Sequence, residues 1–283
     1  TIYMNDGIDP IDGKRKSGPV PLKKLEEYQT FEEFYDGYKA LLDYYLDLSV
    51  KAQCHSYEVM NQHVSFLFTS LLTDDCIARG KALLDGGVRY LGGTNETYGN
   101  INTSDSLWVI RDLVFNQKKY TLRQLNDAML ANFNGYEALR KDCLNCDKYG
   151  NDLETADTMA NDLYEFVAKG VRNRGIAIGM QYFLIVISNN QLNTEWGNRT
   201  AASPDGRLSC MYMNPANNPQ GGANKSGPTA MLNSLAKFDA KYHGGSVQNI
   251  KFSHVQREQG CHQEPVQDLF CERGLPFDGD CSR

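Results

Sequence analysis

The chain has 283 residues, 41% apolar and 23% charged, a balance that excludes a disordered polypeptide and suits a globular one. Basic residues number 29 and acidic residues 35, leaving a formal charge of −6 without a basic block, so the electrostatic footprint of a nucleic-acid binder is missing. No apolar run approaches the roughly 20 residues of a membrane span and no signal-peptide pattern opens the chain.

The eight cysteines are too sparse for a secreted disulfide scaffold. Reduced thiols and a cytoplasmic location are therefore expected, with neither nucleic acid nor membrane as partner. The Asn-x-Ser/Thr triplets at Asn95, Asn102, Asn198 and Asn224 then read as chance matches.

The chain opens on Thr1 rather than an initiator methionine, which leads us to expect a piece of a longer polypeptide. Residues 1–30 are rich in Gly and Pro and predict turns. Thr30 and Glu33 form a capping-box pattern ahead of Phe34, Tyr38, Leu41, Leu42, Tyr45, Leu46 and Leu48 at helical spacing. A second helix is predicted over Phe66–Leu84, ended by Gly86-Gly87. Thr121 and Gln124 head a helix closed by Gly135, a short helix follows over Glu137–Cys143, and another spans Thr155–Lys169, stopped by Gly170. Within Ile176–Ser188, the apolar run Tyr182–Ile187 suits a strand buried on both faces. Loops are predicted over 189–229, a helix over Thr229–Phe238 and a strand over Val247–Phe252. The fold class is α/β and helix-rich, with no internal repeat and no linker.

Several motifs invite a chemical reading. Cys143 and Cys146 have zinc spacing, but no second pair completes four ligands, so two structural thiols are the plainer account. Gly222–Thr229 has the glycines of a phosphate loop but Pro228 where its lysine belongs, and Pro228 instead suits the first turn of a helix capped by Ser226 or Gly227. Ser203-Pro-Asp-Gly-Arg207 is a turn signature in which Asp205 and Arg207 are placed to pair locally. The glycine-dense stretch from Gly86 to Gly99 is either a tight helix-to-strand connection or a loop that sets Glu96, Asn100 and Asn102 beside a small molecule. The five histidines are scattered and define no catalytic arrangement.

Seven stretches in order resemble the glycyl radical enzyme family, which includes pyruvate formate-lyase, radical dehydratases and arylacetate decarboxylases. They are Asp75–Gly87, Asp105–Leu107, Lys118–Asn126, Lys148–Asp152, Ala202–Arg207, Gly227–Ser234 and Asn249–Ser253. The resemblance implies a helix-rich, incomplete part of a ten-stranded barrel of two parallel half-sheets over residues 1–253. It also implies a glycyl radical installed by a partner activase carrying S-adenosylmethionine and an iron–sulfur cluster, a thiyl cysteine that takes hydrogen from a small-molecule substrate, and a homodimeric parent. No cofactor is expected on this chain directly. The family's Gly-Cys-x-Glu and Arg-Val-x-Gly-Tyr motifs do not occur in these residues, so no catalytic residue and no metal ligand is assigned.

From His254 onward the composition loses family character, and Gly260–Glu264 only mimics the cysteine loop. Back-translated and read one base later, His254–Ser282 permits a helix, a Gly-Gly turn and a strand; residues 254–283 are accordingly expected to be a frameshift tail. Substrate contacts are expected from Glu96, Asn100 and Asn102, and from Asn189, Asn190 and Trp196 just past the buried strand. The resemblance favours an arylacetate decarboxylase-like or dehydratase-like lyase over pyruvate formate-lyase itself. The alternatives are a non-catalytic scaffold or a small-molecule or metal-binding module.

Overall fold

The computed structural model describes residues 1–177, 180, 182–187, 190–246 and 250. The predicted strand over 247–252, apart from Ile250, and the expected tail at 254–283 lie outside the described residues.

Helix α1 (Phe31–His63) begins where the sequence says it should. Thr30 Oγ1 accepts the Glu33 N–H at 3.2 Å, while the Glu33 carboxylate reaches one residue further back, to the Gln29 N–H at 3.0 Å. Phe31, Phe34, Leu41, Leu46 and Val50 form its buried stripe. Residues 1–30 are pinned to this helix by rings: Tyr3 and Tyr28 each meet Phe34 nearly edge-on, at 5.2 and 5.4 Å. The Tyr3 hydroxyl, hydrogen-bonded to that of Tyr28, lies where a side chain at Gly37 would start.

The single helix predicted over 66–84 is instead broken into α2 (Leu67–Leu72), α3 (Cys76–Arg79) and a 3-10 turn at Leu83–Asp85. Asp75 is left-handed (φ 75°) and its carboxylate receives the Arg89 guanidinium bidentately, at 2.8 and 3.2 Å, which bends the chain back on itself. Next come β1 (Gly92–Glu96) and α4 (Asn100–Val109), which continues into a π-helical turn over Ile110–Asn116. The Thr121–Gln124 capping box is complete and heads α5 (Leu122–Leu130), followed by α6 (Glu137–Asn145).

Helix α7 (Glu154–Ala177) runs straight through Gly170, where a stop was predicted. A Cβ at Gly170 would lie 2.8 Å from Leu46 Cδ1, so this glycine admits the side of α1 rather than ending a helix. Strand β2 (Tyr182–Ile187) follows, then α8 (Asn190–Asn198) inside the predicted loop region, α9 (Gly227–Ala236) and β3 (His243–Ser246). Ser226 stands at the N-cap position of α9, without a side-chain capping bond, and Pro228 lies in its first turn, as the motif suggested.

The strands form one parallel sheet in the order β1-β2-β3, with Gly92 opposite Tyr182 and Glu96 opposite Val186. Helix α7 packs against α1, α4 and β2, and the core fills the space between them. Among the described residues no helix is long and apolar enough to cross a membrane.

Candidate active-site edge

In a parallel sheet, the loops after neighbouring strands open at the same end, where helix N-termini also point. Here β1 ends at Glu96 and α4 starts at Asn100; beside it β2 ends at Ile187 and α8 starts at Asn190. The two groups of residues singled out in the sequence, nearly a hundred positions apart, thus belong to one sheet edge.

Their side chains play unequal parts. Glu96 is exposed, and its Oε2 accepts the Tyr98 hydroxyl at 2.5 Å. Burial and that carboxylate raise the Tyr98 phenol to about 12, so Tyr98 remains a donor across neutral pH. Asn100 donates to Thr97 Oγ1 at 2.9 Å. Asn102 turns inward: it is 5% exposed, and its amide donates to Asp205 Oδ2 (2.7 Å) and Gln220 Oε1 (3.1 Å). Asn102 and Asn214 also exchange backbone-to-side-chain bonds, at 3.2 and 2.7 Å. Trp196, on α8, is about half exposed beneath the Arg199 guanidinium. Asn189 and the Asn190 side chain lie outside the described residues.

Three adjoining cavities of about 160, 250 and 710 Å³ lie at this edge. Asn102 and Tyr98 line the first, Asn100 the second and Trp196 the third, while Tyr38 of α1 lines all three. Burial pushes the Tyr38 phenol up to about 12, with a hydrogen bond to Thr103 pulling the other way. The sequence reading placed Tyr38 in the apolar stripe of α1 and passed over Tyr98. Only the course of α1 alongside β1 and past its end brings the two phenols to the cleft.

The turn 203–207 supports this edge from below. The Gly206 N–H closes it onto Ser203 O at 3.0 Å, and Asp205 Oδ1 accepts from the Ser203 hydroxyl at 2.5 Å and from the Arg207 N–H at 3.2 Å. Asp205 and Arg207 do pair locally, but through the backbone N–H of Arg207 rather than its side chain. Arg207, 5% exposed, spreads its guanidinium over the carbonyls of Ala201, Leu208 and Met211, because its planar fork satisfies several backbone acceptors at once. Helix α8 is held against the same loop by Asn193, which exchanges bonds with the Met213 backbone at 3.2 and 3.0 Å.

At Gly197 an added Cβ would lie 2.3 Å from Met211 O and 2.7 Å from Tyr212 Cα, both backbone atoms that cannot step aside. Gly197→Ala should therefore cost about 1–3 kcal/mol in thermal unfolding and red-shift the fluorescence of the adjacent Trp196. An unchanged melting curve would mean that this contact is not tight.

The Cys143–Cys146 pair lies elsewhere. Burial raises the two thiols to about 12 and about 11, leaving them protonated, and Lys148 Nζ donates to the Cys143 carbonyl at 2.6 Å. Among the described residues no third ligand joins them, and none of the described cysteines lines the cleft.

The described residues thus form a helix-rich segment around a three-stranded parallel sheet, with cavities beside the strand ends. The family description "Pyruvate formate lyase-like" matches residues 1–192, and the chain belongs to that family, the glycyl radical enzymes. It is 32% identical over 262 residues to trans-4-hydroxy-L-proline dehydratase of Clostridioides difficile, across 92% of this chain and 33% of the relative. It is 30% identical over 240 residues to (2S)-3-sulfopropanediol dehydratase of Klebsiella oxytoca, across 81% of this chain and 28% of the relative. The crystal structure of the C. difficile hydroxyproline dehydratase with its substrate bound superposes with a TM-score of 0.88 at 28% identity, over 97% of this chain and 35% of that one. The chain therefore spans about a third of the length of these relatives.

Proposed function

We propose that this chain forms one wall of the substrate chamber of a glycyl radical lyase of the dehydratase type, as part of a ten-stranded barrel. The reading rests above all on one observation: the residue groups after β1 and β2 lie at the same end of the parallel sheet, where Asn102 and Asn100 line two small cavities and Trp196 a third, with Tyr38 common to all three. The dehydratase relatives support it further.

Neither the radical glycine nor its cysteine partner can be assigned within these residues, so no step is derived through them. In the family the activase-installed radical supplies hydrogen abstraction. What this chain contributes is binding and proton traffic. Loss of a hydroxyl as water needs a proton delivered to the leaving oxygen. Glu96, a carboxylate held by the Tyr98 hydroxyl, is the group proposed to relay it, taking a proton from a neighbouring hydroxyl and passing it to the leaving oxygen, with Asn100 and Asn190 orienting the substrate hydroxyls, Asn102 bracing the start of α4 and Trp196 closing the apolar side. Asn189 belongs to the same proposed set.

Titration of the full chain with trans-4-hydroxy-L-proline and glycerol, followed by saturation-transfer NMR, tests the reading. Binding is expected for at least one, weakened about tenfold in Glu96→Gln, which keeps the shape but loses the charge. Equal binding to both proteins, or to neither, would count against it.

A further inference from the structure

We propose that Cys143 and Cys146 form a peroxide-sensitive dithiol that closes to an intramolecular disulfide at the end of α6. Cys143 lies in the last turn of that helix and Cys146 is its C-cap residue. The Cys146 N–H donates to Asp142 O at 3.1 Å, so the backbone keeps its helical course through the pair. Three residues along an α-helix set two Cα atoms about 5 Å apart on one face, inside the roughly 4.4–6.8 Å that a disulfide spans.

The two sulfurs differ in access. Cys143 is fully buried in the core, while Cys146 is half-buried at its margin. An oxidant therefore meets Cys146 first, and Cys143 is reached through it. Burial holds the Cys146 thiol up, the Lys148 charge pulls it down, and the carboxylates of Asp112, Asp147 and Asp142 raise it further, so oxidation is slow near neutral pH.

The Cys146 thiolate attacks one peroxide oxygen. The O–O bond breaks, the sulfur becomes a sulfenic acid and the other oxygen leaves as water. The Cys143 sulfur then displaces the sulfenic hydroxyl, the S–S bond forms and a second water leaves. Overall the two thiols give two electrons and two protons to one peroxide, which becomes two waters.

The bridge straps a turn that the core depends on. Lys148 Nζ donates to the carbonyls of both cysteines, at 2.6 and 3.4 Å. The next residue, Tyr149, is fully buried and gives its N–H to Asp105 Oδ1. A sulfinic acid on Cys146 would place a lasting anion at this turn, whereas a disulfide is neutral and reducible.

Trypsin isolates the pair, because cleavage after Lys141 and Lys148 releases a peptide, 142–148, that holds these two cysteines and no other. The native full chain is treated with excess hydrogen peroxide at about pH 8, blocked with iodoacetamide in denaturant, digested and weighed. The expected peptide lacks two hydrogens and both carbamidomethyl groups, and dithiothreitol before blocking restores them. In Cys143→Ala, Cys146 should instead reach the sulfinic acid and gain two oxygens. In Cys146→Ser, at the more accessible position, Cys143 should stay unmodified. Native peptide with both cysteines alkylated, a separate sulfinic acid on each, a bridge from either to another cysteine, or a disulfide that forms only in denaturant overturns the proposal. So does a Cys143 that oxidises as readily in Cys146→Ser.

Discussion

Asp105→Asn should make the protein more stable at pH 8 by about 2 kcal/mol or more, and should lose most of that advantage near pH 4. Asp105, on α4, is 1% exposed. Its Oδ1 accepts the Tyr149 N–H at 2.9 Å, but its Oδ2 has no hydrogen-bonding partner among the described residues. Burial raises its carboxyl to about 7; the Lys148 charge and the Tyr149 N–H work against that rise, and the Asp205 and Asp157 carboxylates add to it.

The sign follows from linkage. A carboxyl whose folded pKa lies above its unfolded value is protonated in the native state and ionised in the unfolded chain over the interval between them. Native stability therefore falls as pH rises from about 4 to about 7, by about 4 kcal/mol at full extent, and is flat above. The amide cannot ionise and escapes this loss, less about 1 kcal/mol for an N–H left without an acceptor. Chemical denaturation of both proteins at the two pH values measures the difference. A gap that does not change with pH would show that Asp105 ionises normally in the folded chain.

Arg207→Lys is expected to destabilise the protein by about 2–4 kcal/mol despite the conserved charge. Three carbonyls and the Ser203 hydroxyl receive the guanidinium of Arg207, with Met211 O at 2.8 Å and Ser203 Oγ at 3.2 Å from the nearest nitrogens. A lysine ammonium presents three donors from one point and cannot span acceptors arranged around a planar fork, so at least two buried oxygens lose their partners. The 200–213 loop should loosen with it, moving α8 and Trp196. Proteolysis within 200–213 before global unfolding is the expected signature, together with the lower melting temperature. A variant that melts with the native protein would mean that solvent replaces the lost donors at no cost.

The elements with strong local signals were legible without coordinates. The capping pairs at Thr30 and Thr121, the apolar run at Tyr182–Ile187 and Pro228 in the first turn of α9 each mark a boundary through chemistry confined to a few neighbouring residues. The misreadings have a common origin. Gly170 was taken as a stop because glycine often ends helices, yet here it makes room for Leu46, 124 positions away in the chain. The break at Asp75 depends on Arg89, and α8 sits in a polar, glycine-bearing stretch where no periodic apolar stripe announces it.

The same division runs through the candidate site. Read locally, the chain offered Glu96, Asn100 and Asn102 as contacts for a small molecule and Asn189, Asn190 and Trp196 as groups suited to a polar or aromatic substrate, and the order of seven short stretches identified the family. That the two groups share one edge, that Asn102 turns away to bind Asp205 and Asn214, and that Tyr38 and Tyr98 line the cleft were decided by the parallel pairing of β1 with β2 and the course of α1 alongside β1. Those arrangements depend on contacts between distant segments, whose geometry is set only when the layers close.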